Sequence, residues 1–330
     1  KSLEQAGISW KGRVFVADRA HLVLPRYKEL DRKMEQERRI PLGTTGRGIG
    51  VTYARKAARD GVRVADLYDP TVWERLLPED RAYLDPFREP LREMVVDTSR
   101  FLYDRRDRNV LFEGAQGTLL DLDQGTYPFV SSGISCAAGA AIGGGIGPQS
   151  IDRVIGVCKA YSTRVGNGPF PSEYVGSRDA ALGEKLREIG REYGVTTGRP
   201  RRCGALDLVA LRYACRSNSI DALCLTKLDV YDRMAEIQVC TAYRFRGDRG
   251  ELLEDFPATL GRLEEAEPVL QTLRGWEKDI SGCRRFDELP ARAREYIDFI
   301  EGQAGVPVGV VSVGPERSQT IVRRDPWTPS

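Results

Sequence analysis

The chain has 330 residues, of which 41% are hydrophobic and 30% are charged, and this composition is typical of a folded globular protein. Its formal net charge of +2 gives no strong basic field, so we expect no nucleic-acid partner. No apolar segment approaches the roughly 18 residues that span a bilayer, so we expect no membrane partner and no signal peptide.

Cysteine and histidine usage argues against several kinds of site. The seven cysteines form no C-x-x-C pair, which favours reduced structural thiols and a cytoplasmic protein. His21 is the only histidine, which argues against a zinc site and against a histidine-based catalytic triad centred elsewhere. We interpret His21 itself as structural.

Short apolar runs alternate with amphipathic stretches along the first part of the chain. The elements predicted there are a strand at residues 13–18, a charged exposed helix at 26–39, a glycine-rich turn at 43–50, a helix at 51–61, amphipathic helix over 78–106 and a short buried strand at 109–114.

The second part of the chain repeats this alternation. The elements predicted there are a strand within residues 150–166, an apolar helix at 205–219, strands at 221–229 and 236–245, a helix at 291–305 and a strand at 307–315. Short β-branched runs separated by helices predict an α/β fold with a mostly parallel, doubly wound sheet and flanking helices. No linker is apparent, so we predict a single domain over residues 1–330.

The segment LCLTKLDVYD places Lys227 and Asp229 after a buried strand, where open α/β sheets bind ligands. A Thr-Lys-x-Asp ending is how many GTP-binding proteins read guanine, because the carboxylate accepts from two donors on the base edge. The alternative is an ordinary charged turn. The chain contains no G-x-x-x-x-G-K-[ST] phosphate loop.

The segment GVTTGRPRRCG, residues 194–204, combines hydroxyls, glycine and three arginines just before a helix. Arginine forks bind carboxylates and phosphates with two parallel hydrogen bonds. This composition favours an anion-binding loop, and solvated arginines on the surface are the alternative.

Two more glycine-containing turns carry polar side chains. In GTTGRGIG, Thr45 lies where a ligand can approach the backbone, and Tyr53, Lys56 and Arg59 recur on one face of the following helix. A solvated basic helix face is the alternative there. In LFEGAQGTLLDLDQG, Gln116 follows the predicted strand at residues 109–114, and its amide can read a purine edge.

The same segment contains Asp121 and Asp123, which invite a paired-carboxylate hypothesis. We discount it, because alternate residues leaving an apolar run usually face solvent.

Six segments in this order together resemble the adenylosuccinate synthetase family, and the resemblance extends from near Lys1 to Trp327. They are GTTGRGIG with its following Tyr, Lys and Arg, FEGAQGTLLDLDQGTYPFVSS, KAYSTRVGNGPFP, GVTTGRPRRCGALD, LTKLDVYD and SVGPER with IVRRDPW. Members of this family are ligases of AMP biosynthesis that join IMP to L-aspartate with GTP and Mg²⁺. They phosphorylate the purine 6-oxygen, and the aspartate amine then displaces that phosphate.

The resemblance also implies site residues and a homodimer. The implied IMP-binding residues are Thr45, Arg59, Gln116, Ser131 and Arg199, with Arg59 reaching the site of the neighbouring subunit. The implied aspartate-binding residues, in a loop that closes over this substrate, are Val195, Thr196, Thr197, Gly198, Arg199 and Arg201. The implied GTP-binding residues are Arg201, Lys227, Leu228, Asp229, Ser312, Val313 and Gly314.

The chain lacks two segments that are part of the family pattern. It contains neither the Gly-Asp-Glu-Gly-Lys-Gly phosphate loop nor the Gly-His-Asn-Ala-Gly-His segment, which hold the family's catalytic Asp and His and its magnesium ligand. We therefore expect a P-loop NTPase-like fold whose first strand and phosphate loop lie upstream of Lys1. No catalytic residue or metal ligand is then expected in this chain.

Losing a general base costs about 10²–10⁴-fold in rate, so the chain as given is expected to be nearly inactive. One alternative is a homologue that has lost catalysis and keeps nucleotide binding or dimerisation. A regulatory GTPase, argued from Thr-Lys-x-Asp alone, is another.

Overall fold

The computed structural model describes residues 2–194, 198–245 and 252–328. The chain divides into two compact units, a first unit of Lys1–Ala115 with Ser131–Ser150 and a second unit of Gln116–Val130 with Ile151–Ser330. The expectation that residues 1–330 fold as a single domain stays a prediction.

The first unit is mainly helical. Its elements are α1 (Ser2–Gln5), β1 (Val16–Ala17), α2 (Pro25–Glu37), α3 (Ile49–Ala58), α4 (Pro70–Arg75), α5 (Pro78–Arg92), β2 (Val95–Val96), α6 (Thr98–Tyr103) and α7 (Ala138–Gly144). β1 and β2 form a two-stranded parallel pair. Proline at the first position of α2 fixes the backbone angle with which a helix starts. Leu24, Tyr27 and Leu67 form the centre of the apolar core of this unit.

Asp69 caps α4. Its carboxylate accepts hydrogen bonds from the backbone N–H groups of Thr71 and Val72, at 2.8 and 3.4 Å. We expect Asp69→Ala to lower the free energy of unfolding by about 1 kcal/mol, because two N–H groups of the first turn lose their acceptor. Urea denaturation checks this, with Glu74→Ala at an exposed position of α4 as the control. Equal losses in both variants would show that the cap adds no stability.

The second unit contains the larger sheets. Its elements are β3 (Ile155–Lys159), β4 (Ser162–Arg164), α8 (Gly176–Gly190), β5 (Arg202–Gly204), β6 (Leu206–Asp207), α9 (Leu208–Asn218), β7 (Ala222–Thr226), β8 (Glu236–Phe245), β9 (Leu252–Leu253), α10 (Leu260–Glu265), β10 (Ala266–Arg274), α11 (Ala291–Ala304), β11 (Val308–Ser312) and β12 (Thr320–Val322).

One sheet of this unit has the order β12-β11-β7-β3, in which β11, β7 and β3 are parallel and β12 is antiparallel. The other has the order β10-β8-β6, with β9 also paired to β8. There β8 is antiparallel to β10 and β9 and parallel to β6. Both sheets are mixed, so the α/β class is confirmed but a mostly parallel, doubly wound sheet is not.

The core of the second unit lies on β7, β11 and the helices α9 and α11. Leu225 on β7 has no exposed surface, and Tyr296 on α11 donates a hydrogen bond to the carbonyl of Ala160 at 2.5 Å. Asp207 caps α9 by accepting from the N–H of Ala210, and the hydroxyl of Tyr243 donates to the same carboxylate at 2.7 Å. Apolar burial and satisfied polar groups thus stabilise the second unit.

Several predicted elements differ from the structure. The expected strand at residues 109–114 is wrong, because the described backbone there is not paired and Leu111 is 72% exposed. The expected strand at residues 13–18 shrinks to β1, which pairs only with β2. The helix expected over residues 78–106 is divided into α5 and α6 by β2.

The helices of the described ranges are all too short or too polar to span a bilayer. All seven cysteines are free thiols, and burial raises the pKa of Cys158 to about 12 and that of Cys203 and Cys215 to about 11. The reduced, structural role expected for the cysteines agrees with this burial.

Candidate functional site

Three parallel strands of the second unit end at one edge of their sheet, which we name the carboxyl edge and define as the residues that follow β3, β7 and β11. Lys159, the last residue of β3, pairs with Thr226 of β7, and Val311 of β11 pairs with Leu225. β11 also contacts the 3-10 turn Leu228–Tyr231 that follows β7. The side chains that follow these strands therefore meet at one edge, where open α/β sheets bind ligands.

Lys227 and Asp229 lie directly after β7. The backbone of Lys227 is left-handed, with φ of 62°, and its ammonium donates to the carbonyl of Gly190, the last residue of α8, at 2.8 Å. Leu228 is buried beneath the turn. Burial raises the pKa of the Asp229 carboxyl, and the nearby charge of Lys227 opposes that rise. This half-buried carboxylate suits a pair of donors on a purine edge.

Ser312, Val313 and Gly314 continue β11 at the same edge. Val313 is fully buried, and its N–H donates to the carbonyl of Gln319 at 2.9 Å. The hydroxyl of Ser312 donates to the carbonyl of Gly314 at 2.8 Å. A Cβ added to Gly314 would lie 2.3 Å from Oε1 of Gln319, so a side chain at this position would displace the amide end of Gln319. The structure thus brings the two predicted guanine-binding segments to one edge.

A buried carboxylate fixes Arg201 beside this edge. Glu192 accepts from Nζ of Lys159 at 2.8 Å, from the hydroxyl of Tyr161 at 2.7 Å and from Arg201 at 2.6 Å. Burial alone would raise the pKa of Glu192, but these three hydrogen bonds outweigh it and hold that pKa below its ordinary value. Sequence reasoning missed Glu192 and Lys159, because nothing in the local pattern shows that these charges are buried together.

The ends of the predicted anion-binding loop are held together. Tyr193 and Pro200 form an isolated antiparallel bridge, and the N–H of Gly194 donates to the carbonyl of Arg199 at 2.8 Å. Gly198 has a φ of 63° and is exposed, as is Arg199. The predicted aspartate-binding residues Val195, Thr196 and Thr197 lie outside the described residues.

Arg202 of the same segment is held in a structural ion pair. Its guanidinium makes a two-pronged ion pair with Glu173, and it also donates to the carbonyl of Gly168 at 2.8 Å. These bonds close the turn that follows β4. An arginine count alone cannot separate such a structural guanidinium from one that binds a ligand.

Gln116 begins the segment Gln116–Val130, which packs on α9. The hydroxyl of Tyr213 donates to the carbonyl of Gln124 at 2.8 Å, and Asn218 donates to the hydroxyl of Thr118 at 3.0 Å. Gln116 itself is exposed at the start of this segment, and its role at a purine edge stays a prediction.

Asp121 corrects one sequence interpretation. It is only 1% exposed and accepts from the N–H groups of Asp123 and Gln124, both at 3.0 Å, whereas Leu122 is exposed. The expectation that both aspartates face solvent is therefore wrong for Asp121. Its carboxylate accepts hydrogen bonds within a local turn. This turn replaces the alternation of buried and exposed residues that was assumed from the sequence.

The turn that carries Thr45 is fixed by α2 within the first unit. Glu35 accepts from the N–H of Gly43 at 2.6 Å, and Asp31 accepts from the N–H of Gly48 at 2.8 Å. A Cβ on Gly48 would lie 2.9 Å from the backbone of Tyr27, and its φ is 79°. Close packing on α2 thus explains this glycine, and Thr45 remains exposed at the turn.

Arg59 lies at the C-terminal end of α3, and Ser131 is next to a residue that packs near the N-terminal end of that helix. Lys56 lies over the ring of Tyr53, which confirms their shared helix face. Arg59 has left the helix, because it is the C-cap residue with φ of 67°, and it is exposed. Ser131 is partly buried and precedes Ser132, whose Oγ would lie 3.2 Å from a Cβ on Gly50.

His21 belongs to the packing of the first unit. It forms an antiparallel bridge with Arg63, and its Nδ1 is buried and bonded to none of the described residues. Burial lowers the pKa of the imidazole, with the charge of Lys56 acting in the same direction. These contacts agree with a structural role.

Within the described ranges, no group of three or more His, Cys, Asp and Glu side chains could hold a metal ion. A Mg²⁺ ion held by one or two carboxylates together with substrate phosphates needs no such group, and no chemical step is assigned to a metal here.

The chain is similar to known proteins of one family. A family model for adenylosuccinate synthetase matches residues 1–321. The chain is 48% identical to the adenylosuccinate synthetase of Moorella thermoacetica over 94% of this chain and 77% of that protein. It is 49% identical to that of Desulforudis audaxviator over the same shares.

Solved structures confirm the fold. The fully ligated adenylosuccinate synthetase from Plasmodium falciparum superposes with a TM-score of 0.90 and 36% identity, over 98% of this chain and 81% of that chain. A cyanophage succinoaminodeoxyadenylate synthetase, 20% identical with a TM-score of 0.55, shares the fold. The family match covers residues 1–321 and gives no support to the expected upstream segment. On the family model and these relatives together, the chain belongs to the adenylosuccinate synthetase family.

Proposed function

We propose that this chain binds GTP, IMP and L-aspartate for the ligation of IMP and aspartate to adenylosuccinate, as a cytoplasmic homodimer. The observation that carries the proposal is the carboxyl edge, where Lys227 and Asp229 meet Ser312–Gly314 on parallel strands. Family membership adds the reaction, because adenylosuccinate synthetases are GTP-using, Mg²⁺-dependent ligases of purine biosynthesis.

The reaction transfers the γ-phosphoryl group of GTP to the 6-oxygen of IMP. The amine of aspartate then attacks C6, the C–O bond breaks, and phosphate leaves with that oxygen. Phosphorylation is needed because an oxygen on a purine is a poor leaving group. The products are adenylosuccinate, GDP and phosphate, and the described residues are assigned only to binding and orientation.

Each predicted residue has a binding role in this proposal. Asp229 accepts from two donors of guanine, Lys227 lies along the base, and Leu228 with Ser312–Gly314 lines the pocket. Arg201 binds aspartate and GTP, and Arg199 binds IMP and aspartate, together with Val195–Gly198. Thr45, Gln116 and Ser131 bind IMP, and Arg59 reaches the IMP phosphate of the neighbouring subunit. The exposure of Thr45, Gln116, Arg59 and Arg199 supports these roles.

Isothermal titration calorimetry tests the binding roles. We expect saturable binding of GDP and of IMP, with GDP bound more tightly than ADP, since only guanine presents two adjacent donors to Asp229. IMP should also protect Arg199 from an arginine-specific reagent, which a regulatory GTPase would not predict. Equal affinity for GDP and ADP would overturn the guanine assignment.

The proposal also includes a low rate of catalytic turnover. The 330 residues contain neither of the family segments that hold the catalytic Asp and His, so these residues alone should turn over far more slowly than a homologue that contains both segments. Incubation with IMP, GTP, aspartate and Mg²⁺ checks this. Turnover near that of a homologue with both segments would contradict it, whereas ligand binding without turnover fits both this proposal and a non-catalytic homologue. A fusion of the chain with the two family segments distinguishes the proposed ligase from a non-catalytic homologue, because only the ligase would gain activity.

A further inference from the structure

Glu192 is a buried carboxylate that the binding roles above do not use. It has no exposed surface, it follows the end of α8, and it lies between two cations, Lys159 and Arg201. Two positive charges face one negative charge, so the cluster keeps a net charge of about +1. An anion that binds here would complete the charge balance.

The two cations use their donors differently. Lys159 is saturated, because its ammonium donates to both oxygens of Glu192 and to the hydroxyl of Thr163, all at 2.8 Å. Arg201 gives Glu192 only one terminal nitrogen, and its side chain is partly exposed. The described residues accept no hydrogen bond from its Nε or its second terminal nitrogen. Arg201 is thus the cation with donors left for a ligand.

The backbone of Arg201 is fixed as well. Its N–H donates to the carbonyl of Glu192 at 2.9 Å, and its own carbonyl accepts from Nε of Arg187 at 2.8 Å. The bridge between Tyr193 and Pro200 lies between these contacts. Glu192 therefore holds the main chain and the side chain of Arg201 at once, and a guanidinium fixed in this way loses little rotamer freedom on binding.

We propose that Glu192 is a positioning residue that orients Arg201 toward the carboxylate of the amino-acid substrate. The substrate assignment rests on the function proposed above. The orientation of Arg201 by Glu192 does not, and it can be tested without any ligand.

Glu192→Gln is the informative variant. A glutamine amide keeps one acceptor oxygen but turns an NH₂ group toward Lys159 or Arg201, which are donors only. Glu192→Asp keeps the charge on a shorter side chain and should restore part of the effect. Glu184→Gln, at an exposed position of α8, is the matched control. Thermal unfolding shows which variants are folded before any comparison.

The first measurement is the rate at which phenylglyoxal modifies Arg201, followed by mass spectrometry with Arg199 as internal reference. We expect Arg201 to react faster in Glu192→Gln than in the unaltered chain, with Glu192→Asp in between. The second measurement is the dissociation constant for L-aspartate with GDP and IMP present. We expect Glu192→Gln to raise it by about tenfold, the size of effect that 1.4 kcal/mol produces.

The possible results test the positioning role of Glu192 separately from the proposed function. A folded Glu192→Gln protein with unchanged Arg201 reactivity overturns the positioning role, as does unchanged aspartate affinity in the same protein. If the unaltered chain binds no aspartate, the proposed function fails while the modification rates still decide the role of Glu192. If Glu192→Gln does not fold, Glu192→Asp, whose shorter side chain withdraws the carboxylate from Arg201, replaces it. Arg201 reactivity unchanged in that variant would then overturn the role.

Discussion

Replacing Asp229 by asparagine is expected to weaken GDP binding by at least about a hundredfold, because two hydrogen bonds to a charged acceptor, each contributing roughly 1.5–3 kcal/mol, are lost or weakened. The asparagine amide presents one acceptor and one donor side to the base. Guanine offers two donors, so one of them would face an NH₂ group. Asp229 lies half-buried after β7, where that mismatch is poorly solvated.

The same substitution should create affinity for XDP, since xanthine carries a carbonyl oxygen where guanine carries its amino group. Titration calorimetry with GDP, XDP and ADP measures both effects in one protein. Asp255→Asn is the control, because Asp255 is an exposed partner of Arg216. Unchanged GDP affinity in the Asp229→Asn protein would show that this carboxylate does not read guanine.

Leu225→Ala is expected to lower the free energy of unfolding by about 3 kcal/mol, within the usual 2–5 kcal/mol for a buried leucine. Leu225 has no exposed surface and lies on the central strand β7, paired with Cys158 on β3 and Val311 on β11. Truncation leaves a cavity that strands paired on both sides cannot collapse to fill.

Val157→Ala is the matched control for this prediction, because Val157 lies on the adjacent β3 but is 74% exposed. We expect its cost to stay below about 0.5 kcal/mol. Urea denaturation measured under one set of conditions compares the two. Similar costs at both positions would mean that burial in this sheet does not decide its stability.

The elements that the sequence predicted well are those whose start, end and burial depend on residues close together in the chain. The helix at residues 291–305 ends at Gly305 in the left-handed conformation, as a glycine stop predicts, and α11 spans Ala291–Ala304. The runs at 221–229 and 236–245 contain β7 and β8, since β-branched and apolar residues there fit a buried sheet.

The failures come from information that is not local. Residues 109–114 have the composition of a buried strand, but a strand needs a partner, and composition cannot supply one. Asp121 is buried by a hydrogen-bonded turn that reverses the expected alternation with Leu122. Glu192 and Arg202 look like ordinary surface charges in sequence, and only the fold brings each to its partner.

The left-handed backbone at Lys227 has an energetic consequence. An L-residue adopts that conformation at a cost of roughly 1–2 kcal/mol, which a glycine would avoid. The fold therefore stores strain at the residue that directs both an ammonium and, two positions later, the carboxylate of Asp229. The bond to Gly190 helps to offset that strain in the folded chain. The turn that carries the proposed guanine-binding residues Lys227 and Asp229 thus already has this strained backbone, and ligand binding does not have to create it.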